Sequence, residues 1–414
     1  MKLLIHEHRH PGHYLHHVRL IAEAALERGI ATELSLRNDA AKTEEYQIHI
    51  APIAGRVGAI NTFMIPTHSE PTAVFSASGR ACLGIARSRG VQHIIVPSAD
   101  GIAPIWGRMA CGGLKRLLPE GTELEVGLIR PSFAQGERGL GRKAKLALVE
   151  AAVARAPIGA LRITDFPAYG RLKRKRWARR KNLLAVPEPC EPTRRFTQAD
   201  ARRLLGLPAD GALVVATGEL SARKCPLELA EAFARTAARD AGSRARLLLA
   251  GRCESGLAEK LAARFGREID AKRIILINRL LTDEDLDAAV AAADIVAAAY
   301  AGHPGPSGII GRAMMLDRPV IAHNYGWAAY MVKTFQLGWM TDPLSSTDYA
   351  STMERALAEV ESFRPAPATQ ALKSFYSMES FRKHWMLRLR QRMNLPPEEM
   401  VRWEDVLQAA GAPN

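Results

Sequence analysis

Strand and helix alternate along this chain in two separate series, joined by a proline-rich stretch. The first series opens with KLLIHE, an apolar run that meets a Pro-Gly turn, followed by YLHHVRLIAEAALERG with apolar residues at helical spacing and a stop at Gly29. TAVFSASGRACLGIARSRG then QHIIVPSADG, ELEVGLIRPS then KAKLALVEAAVARA, and IGALRITDF continue the alternation. LLAVPEPCEPTRRF, with Pro187, Pro189 and Pro192, reads as the join. Beyond it the pattern restarts: DARRLLGLP, ALVVATG, LELAEAFARTAAR, RLLLAG, RIILI, DEDLDAAVAAA, DIVAAAY, SGIIGRAMML and PVIAH. Such alternation predicts parallel sheets with helices on both faces. At 414 residues the chain is also too long for one hydrophobic core. The reading is α/β, with an N-terminal Rossmann-like domain over 1–185, a C-terminal one over 186–377 and a helical tail over 378–414 that packs back. In parallel α/β sheets ligands bind at the carboxyl ends of the strands, so the loops leaving those ends are where chemistry is expected.

Composition narrows the function. No apolar run approaches the ~20 residues of a membrane span, and the longest candidate, around Ala288 to Ala301, is interrupted by Asp294. MKLLIH lacks a basic leader and a cleavage site, so no secretory signal is read and a cytoplasmic location is expected. The five cysteines include no CxxC pair, which fits reduced thiols and supports neither a zinc site nor a disulfide framework. The net charge is +14, and residues 171–181, RLKRKRWARRK, carry eight basic side chains and no acid. That run reads as a solvated face or as peripheral contact with an anionic membrane surface, where Trp177 would suit the interface. A nucleic-acid partner is not expected, since the basic residues lack interleaved aromatics and any recognised module.

The second series holds the more specific signals. In VVATGELSARKCPLELAEAFA a strand ends at Gly218, and a short loop carries Arg223 and Lys224 into a helix. Adjacent cations at a strand end suit a phosphate or diphosphate. In DIVAAAYAGHPGPSGIIGRAMM a strand leads through Gly302, Gly305 and Gly308 to a helix start at Ser307, whose amides and dipole favour an anion. The DLD at 285–287 lies near a helix start, where acids complement the dipole, and is read as structural.

In this order the elements resemble the C-terminal half of GT-B glycosyltransferases, in particular the retaining family 4 (group 1). The family's Gly-Arg-Leu and Lys-Gly signature is matched by Gly218, Glu219, Leu220 and then Lys224, Cys225. Its following segments resemble LLLAG, ILINRLLTDEDL, AAADIVAAAY and RAMMLDRPVIA. The resemblance implies a GT-B architecture, two Rossmann-like domains facing across a cleft, and an enzyme that takes a nucleotide-diphosphate sugar as co-substrate. It implies that Arg223, Lys224, Gly305, Ser307 and Gly308 hold the donor diphosphate, and that Asn278, Arg279 and Leu280 meet base and ribose. The family's two glutamates fall on Pro304 and Arg312, a departure that leaves room for a catalytically silent relative that binds nucleotide or glycan as a scaffold subunit.

HEHRHPGHYLHH, residues 6–17, occupies the loop after the first strand. His6, His8 and His10 share one strand face and His13 and His17 lie one helical turn apart, but GT-B chemistry requires no metal and none is expected, nor any cofactor. His10, Gly12 and His303 are read as contacts to sugar or acceptor, with His13 beside them as a catalytic candidate. Asp100 and Arg130 end first-domain strands. Asp100 reads either as a base that orients an acceptor hydroxyl or as the N-cap of the next helix, and Arg130 suits an anionic acceptor or the leaving diphosphate. The expected activity is metal-independent, retaining transfer of a sugar to a glycan or lipid-linked acceptor.

Overall fold

A computed structural model describes residues 1–10, 12–65, 70–112, 118–135, 140–239 and 244–412. The chain forms two compact units, Met1–Pro187 with Met378–Trp403, and Glu188–Ser377 with Glu404–Asn414.

The first unit holds seven strands: β1 Lys2–Glu7, β2 Ala31–Arg37, β3 Ala59–Phe63, β4 His93–Val96, β5 Glu123–Leu128, β6 Ala160–Ile163 and β7 Leu183–Ala185. They pair in parallel in the order β3-β2-β1-β4-β5-β6-β7. The central strands are buried on both faces, which is why they read as near-continuous Leu, Ile and Val. The helix Tyr14–Glu27 turns Leu15, Val18, Ile21, Ala22 and Ala25 inward at the spacing of one helical face.

Part of the tail completes this same core. In the helix Met378–Arg392, Phe381, Trp385, Met386 and Leu389 are buried with Ile5, Val18 and Ile21. Its outer side is anchored by ions: Arg388 donates to both carboxylate oxygens of Glu123 (2.5 and 3.1 Å), and Arg382 pairs with Glu27. Arg392 donates to the carbonyls of Gln92 (2.5 Å) and Gly121 (2.7 Å). This helix is therefore a structural layer of the first unit.

The second unit holds β8 Leu213–Thr217, β9 Arg246–Ala250, β10 Ile274–Ile277, β11 Ile295–Ala298, β12 Val320–His323 and β13 Gly338–Thr341. All pair in parallel, in the order β10-β9-β8-β11-β12-β13. The order reverses between β8 and β11, the place where an open α/β sheet opens a crevice at its carboxyl edge. The acids of the DLD segment are structural. Asp285 closes a capping box with Thr282. Asp287, fully buried, accepts from the Thr193 amide (2.8 Å), the Thr193 hydroxyl (2.7 Å) and the Arg194 amide (3.1 Å), and pairs with Arg312.

Candidate functional site

In the second unit the carboxyl ends of β8 and β11 bring two loops together. Gly218 leaves β8 with φ +85°, and a Cβ there would lie 2.7 Å from the Lys224 Nζ, so glycine serves both the turn and the lysine. The short 3₁₀ turn Ala222–Lys224 ends at Cys225 in the left-handed region, which turns the chain into the helix Pro226–Arg239. Lys224 folds back and donates to the Thr217 carbonyl (2.8 Å). Burial, then the charge of Arg223, lowers its pKa to about 8.

Tyr300, one residue past the β11 neighbour Ala299, lies under this loop. The Arg223 guanidinium sits 5.4 Å from its ring centroid and the Lys224 ammonium 5.7 Å. The Ala301 amide donates to the Arg223 carbonyl (2.8 Å), and the buried Tyr300 hydroxyl makes no hydrogen bond among the described residues. Ser307 precedes the helix Gly308–Met315 as its N-cap residue, without using its side chain for the cap. The loop between them is braced. His303 Nε2 donates to the Pro306 carbonyl (2.9 Å), its amide donates to the Tyr325 hydroxyl (3.4 Å), and the Trp327 amide donates to the Pro304 carbonyl (2.8 Å). Gly326 makes the last bond possible: its φ is +65°, and a Cβ would fall 2.5 Å from the Pro304 oxygen. The Tyr300 amide donates to His323 Nδ1 (3.2 Å), which leaves that ring's proton on Nε2. Burial lowers the His323 pKa to about 4, so the ring is neutral near pH 7.

Of the residues read as a diphosphate site, the structure sets Arg223 and Lys224 over one tyrosine, and Ser307 stands before the helix Gly308–Met315. Gly305 is buried in the braced loop and Gly308 opens the helix. Asn278, Arg279 and Leu280 follow β10. Asn278 Oδ1 accepts from the Cys253 amide (2.9 Å), Arg279 makes two bonds to Asp285 (2.6 and 2.8 Å), and Leu280 is exposed. Of the positions where the family has glutamates, Pro304 belongs to the braced loop, and Arg312 turns away to Asp283 and Asp287.

In the first unit the histidine-rich stretch divides. His6 is fully buried, with Nδ1 at 2.9 Å from the Ser35 hydroxyl and Nε2 at 2.8 Å from that of Ser78. Burial lowers its pKa to about 3, so it is a neutral core residue. His10 lies 3.5 Å from Asp39, Gly12 donates its amide to Glu45 (3.4 Å), and His13 packs against the rings of Tyr14 and His17 (4.6 and 4.9 Å). Asp100 caps no helix, since the N-cap of Ile102–Cys111 is Gly101. Its carboxylate instead accepts from the Ile129 (3.1 Å) and Arg130 (2.9 Å) amides and so binds the β4 end to the β5 end, while the Arg130 side chain is exposed.

Sequence reasoning missed three residues here. Glu7 ends β1 and accepts from the amides of His8 (2.9 Å) and Arg9 (3.0 Å); Arg9 donates to the Tyr14 hydroxyl (2.7 Å). A glutamate closing an apolar strand was the available signal for the first. Tyr300 had one too, as the aromatic end of an alanine-rich strand.

Burial raises the Glu7 pKa from 4.5 to about 8, against the opposing pull of the Arg9 and His8 amides and the Arg9 charge. The folded state thus holds an extra proton between those values. The stability this contributes is present below pH 4.5 and is lost as pH rises through 8. Glu7→Gln is expected to remove that slope and to exceed the parent in stability at pH 8.5 by about 1 kcal/mol or more, compared by urea unfolding at pH 5.5 and 8.5. An equal difference between the two proteins at both pH values would contradict it.

Residues 211–359 match the glycosyl transferases group 1 family. No curated protein matches the chain. Among solved structures it is similar to HepE of Anabaena in complex with UDP, at 16% identity and TM-score 0.64, over 94% of this chain and 100% of that one. It is similar to sucrose-phosphate synthase of Thermosynechococcus elongatus at 17% identity and TM-score 0.67, over 95% and 99% of the two chains. WaaG, a glycosyltransferase involved in lipopolysaccharide biosynthesis, is similar at 12% identity and TM-score 0.55, over 99% and 98%. At these identities the likeness is one of fold, GT-B.

Proposed function

We propose that this chain, which folds as GT-B and matches the group 1 glycosyl transferases over residues 211–359, is a glycosyltransferase that moves a sugar from a nucleotide-diphosphate donor to a glycan or lipid-linked acceptor, with retention and without a metal. The observation that carries this reading is the placing of Arg223 and Lys224 over Tyr300 at the carboxyl ends of β8 and β11, with Ile309 of the helix start beside the same Gly218 turn. Two cations and a helix start supply the charge that a leaving diphosphate needs, in a place partly shielded from water. Asp100 and Arg130, with His10, Gly12 and His13, remain the candidates for the acceptor side, and His303 for the donor sugar. Since HepE was solved with UDP, that nucleotide is the first to try. The test is calorimetric titration with UDP, GDP, TDP and ADP, with and without Mg²⁺. Metal-independent binding of one of them supports the reading, and binding that strictly requires Mg²⁺ contradicts the mechanism.

Arg312 favours a second reading. Standing in place of an acid and locked to Asp283 and Asp287, it offers the ribose no carboxylate, as in a protein that binds nucleotide without turning donor over. Donor hydrolysis or transfer in the presence of bound nucleotide separates the two.

Peripheral contact with an anionic membrane is proposed for residues 171–181, where Arg174, Lys175, Arg176, Arg179 and Arg180 are exposed. Among the described residues no helix is long and apolar enough to cross a membrane. Flotation with vesicles containing phosphatidylserine is expected at low salt, and reversal of Arg174, Arg176 and Arg180 to glutamate is expected to abolish it. Unchanged flotation of the triple variant would remove this contact from the proposal.

A further inference from the structure

We propose that Tyr300 is the positioning residue of the diphosphate site: its ring carries Arg223 and Lys224, so one side chain sets two anion-binding cations in place before the ligand arrives. The inference rests on the nucleotide-diphosphate reading above and names the device behind it.

Arg223 and Lys224 are adjacent like charges at a strand end, Lys224 half-buried and Arg223 exposed. Left alone, such a pair separates toward solvent. An acid between them would hold them together but would cancel the charge a diphosphate needs. The face of an aromatic ring attracts cations through its quadrupole without neutralising them. Both cationic groups lie within 6 Å of the Tyr300 centroid, at 5.4 and 5.7 Å.

The ring is itself held in place by its neighbours. Only 4% of Tyr300 is exposed. The rings of His303 and His323 pack on it at centroid distances of 5.7 and 6.0 Å. Its amide donates to His323 Nδ1 and its carbonyl accepts from the Tyr325 hydroxyl (2.5 Å). Tyr325 in turn receives the His303 amide, so the residue that braces the glycine loop also holds the ring. A site arranged in this way loses less side-chain freedom on binding, and that is where its affinity gains.

The experiment compares the parent with Tyr300→Phe, Tyr300→Met and pentafluorophenylalanine at position 300, which keeps the ring's shape and inverts its quadrupole. UDP affinity is measured by calorimetry, and the Lys224 ammonium is titrated by NMR of lysine-labelled protein without ligand, its signal assigned by its loss in Lys224→Met. Tyr300→Phe is expected to bind within about threefold of the parent, and the other two at least tenfold more weakly, with the Lys224 midpoint moved to lower pH. A merely structural tyrosine would not move that midpoint in the isosteric variant, and that variant also decides the matter where Tyr300→Met fails to fold. An unchanged midpoint in the fluorinated protein overturns the inference whatever the ligand. A parent that binds none of UDP, GDP, TDP and ADP overturns the diphosphate reading, a different result from the first.

Discussion

Lys224→Met is expected to lower nucleoside diphosphate affinity at least about thirtyfold, the order found when one member of a desolvated, hydrogen-bonded charge pair is removed. It is also expected to make the free protein more stable. The ammonium lies half-buried beneath the Gly218 turn with the Thr217 carbonyl as its hydrogen-bond partner, and desolvation has drawn its pKa down to about 8 from 10.5. Keeping it charged at pH 7 therefore works against folding by roughly 3 kcal/mol, part of which the Thr217 bond offsets. The sign follows from proton counts. Between pH 8 and 10.5 the unfolded state binds more protons at this group, so the parent gains stability as pH rises through that window, and the variant has no such gain. Calorimetry at pH 7 with urea unfolding at pH 7 and 10 reads both halves. A variant that binds as tightly as the parent removes Lys224 from the site; one that is less stable at pH 7 contradicts the account of its burial.

Glu125→Leu is expected to destabilise the first unit by about 3–5 kcal/mol. Glu125 on β5 is fully buried between His93 of β4 (3.1 Å) and Arg162 of β6 (2.6 Å), themselves 0% and 2% exposed. Arg162 donates as well to the Asn182 carbonyl (2.8 Å). Removing the carboxylate strands a guanidinium in a low-dielectric interior, where its desolvation is no longer answered by an opposite charge. Glu125→Leu combined with Arg162→Met removes both charges and is expected to recover most of the loss. With two units, unfolding need not be a single transition, so the comparison belongs to the transition that Glu125→Leu moves. Equal destabilisation by the single and double variants would mean that packing, and not the stranded charge, sets the effect.

The charged strand-end loops of the second unit were more legible than the histidine-rich loop of the first, for a physical reason. Arg223, Lys224 and Ser307 lie in short strand-to-helix loops, the first of which is set by the left-handed turn at Gly218. The histidine-rich loop offers no such local rule. Six histidines in sequence were equivalent candidates, and only packing sorted His6 into the core, His10 toward Asp39 and His13 against Tyr14 and His17. Asp100 shows the same limit: both roles open to it in sequence concerned its neighbours, whereas its partners are amides 29 and 30 residues ahead.

The sequence by itself determined the α/β class, the two series of parallel strands, the proline-rich join and the strand-end loops that carry charge. These are written in periodicities of two to four residues and in glycine and proline, so each is decided by near neighbours. Tertiary structure alone decided that the helix Met378–Arg392 completes the first unit's core, that Arg312 turns to Asp287, and that Glu125 holds Arg162 inside the sheet. It alone put Tyr300 beneath two cations some 76 residues earlier in the chain. Those outcomes depend on which surfaces meet after the chain has folded, and a buried charge or ring has no local signature until its distant partner is in place.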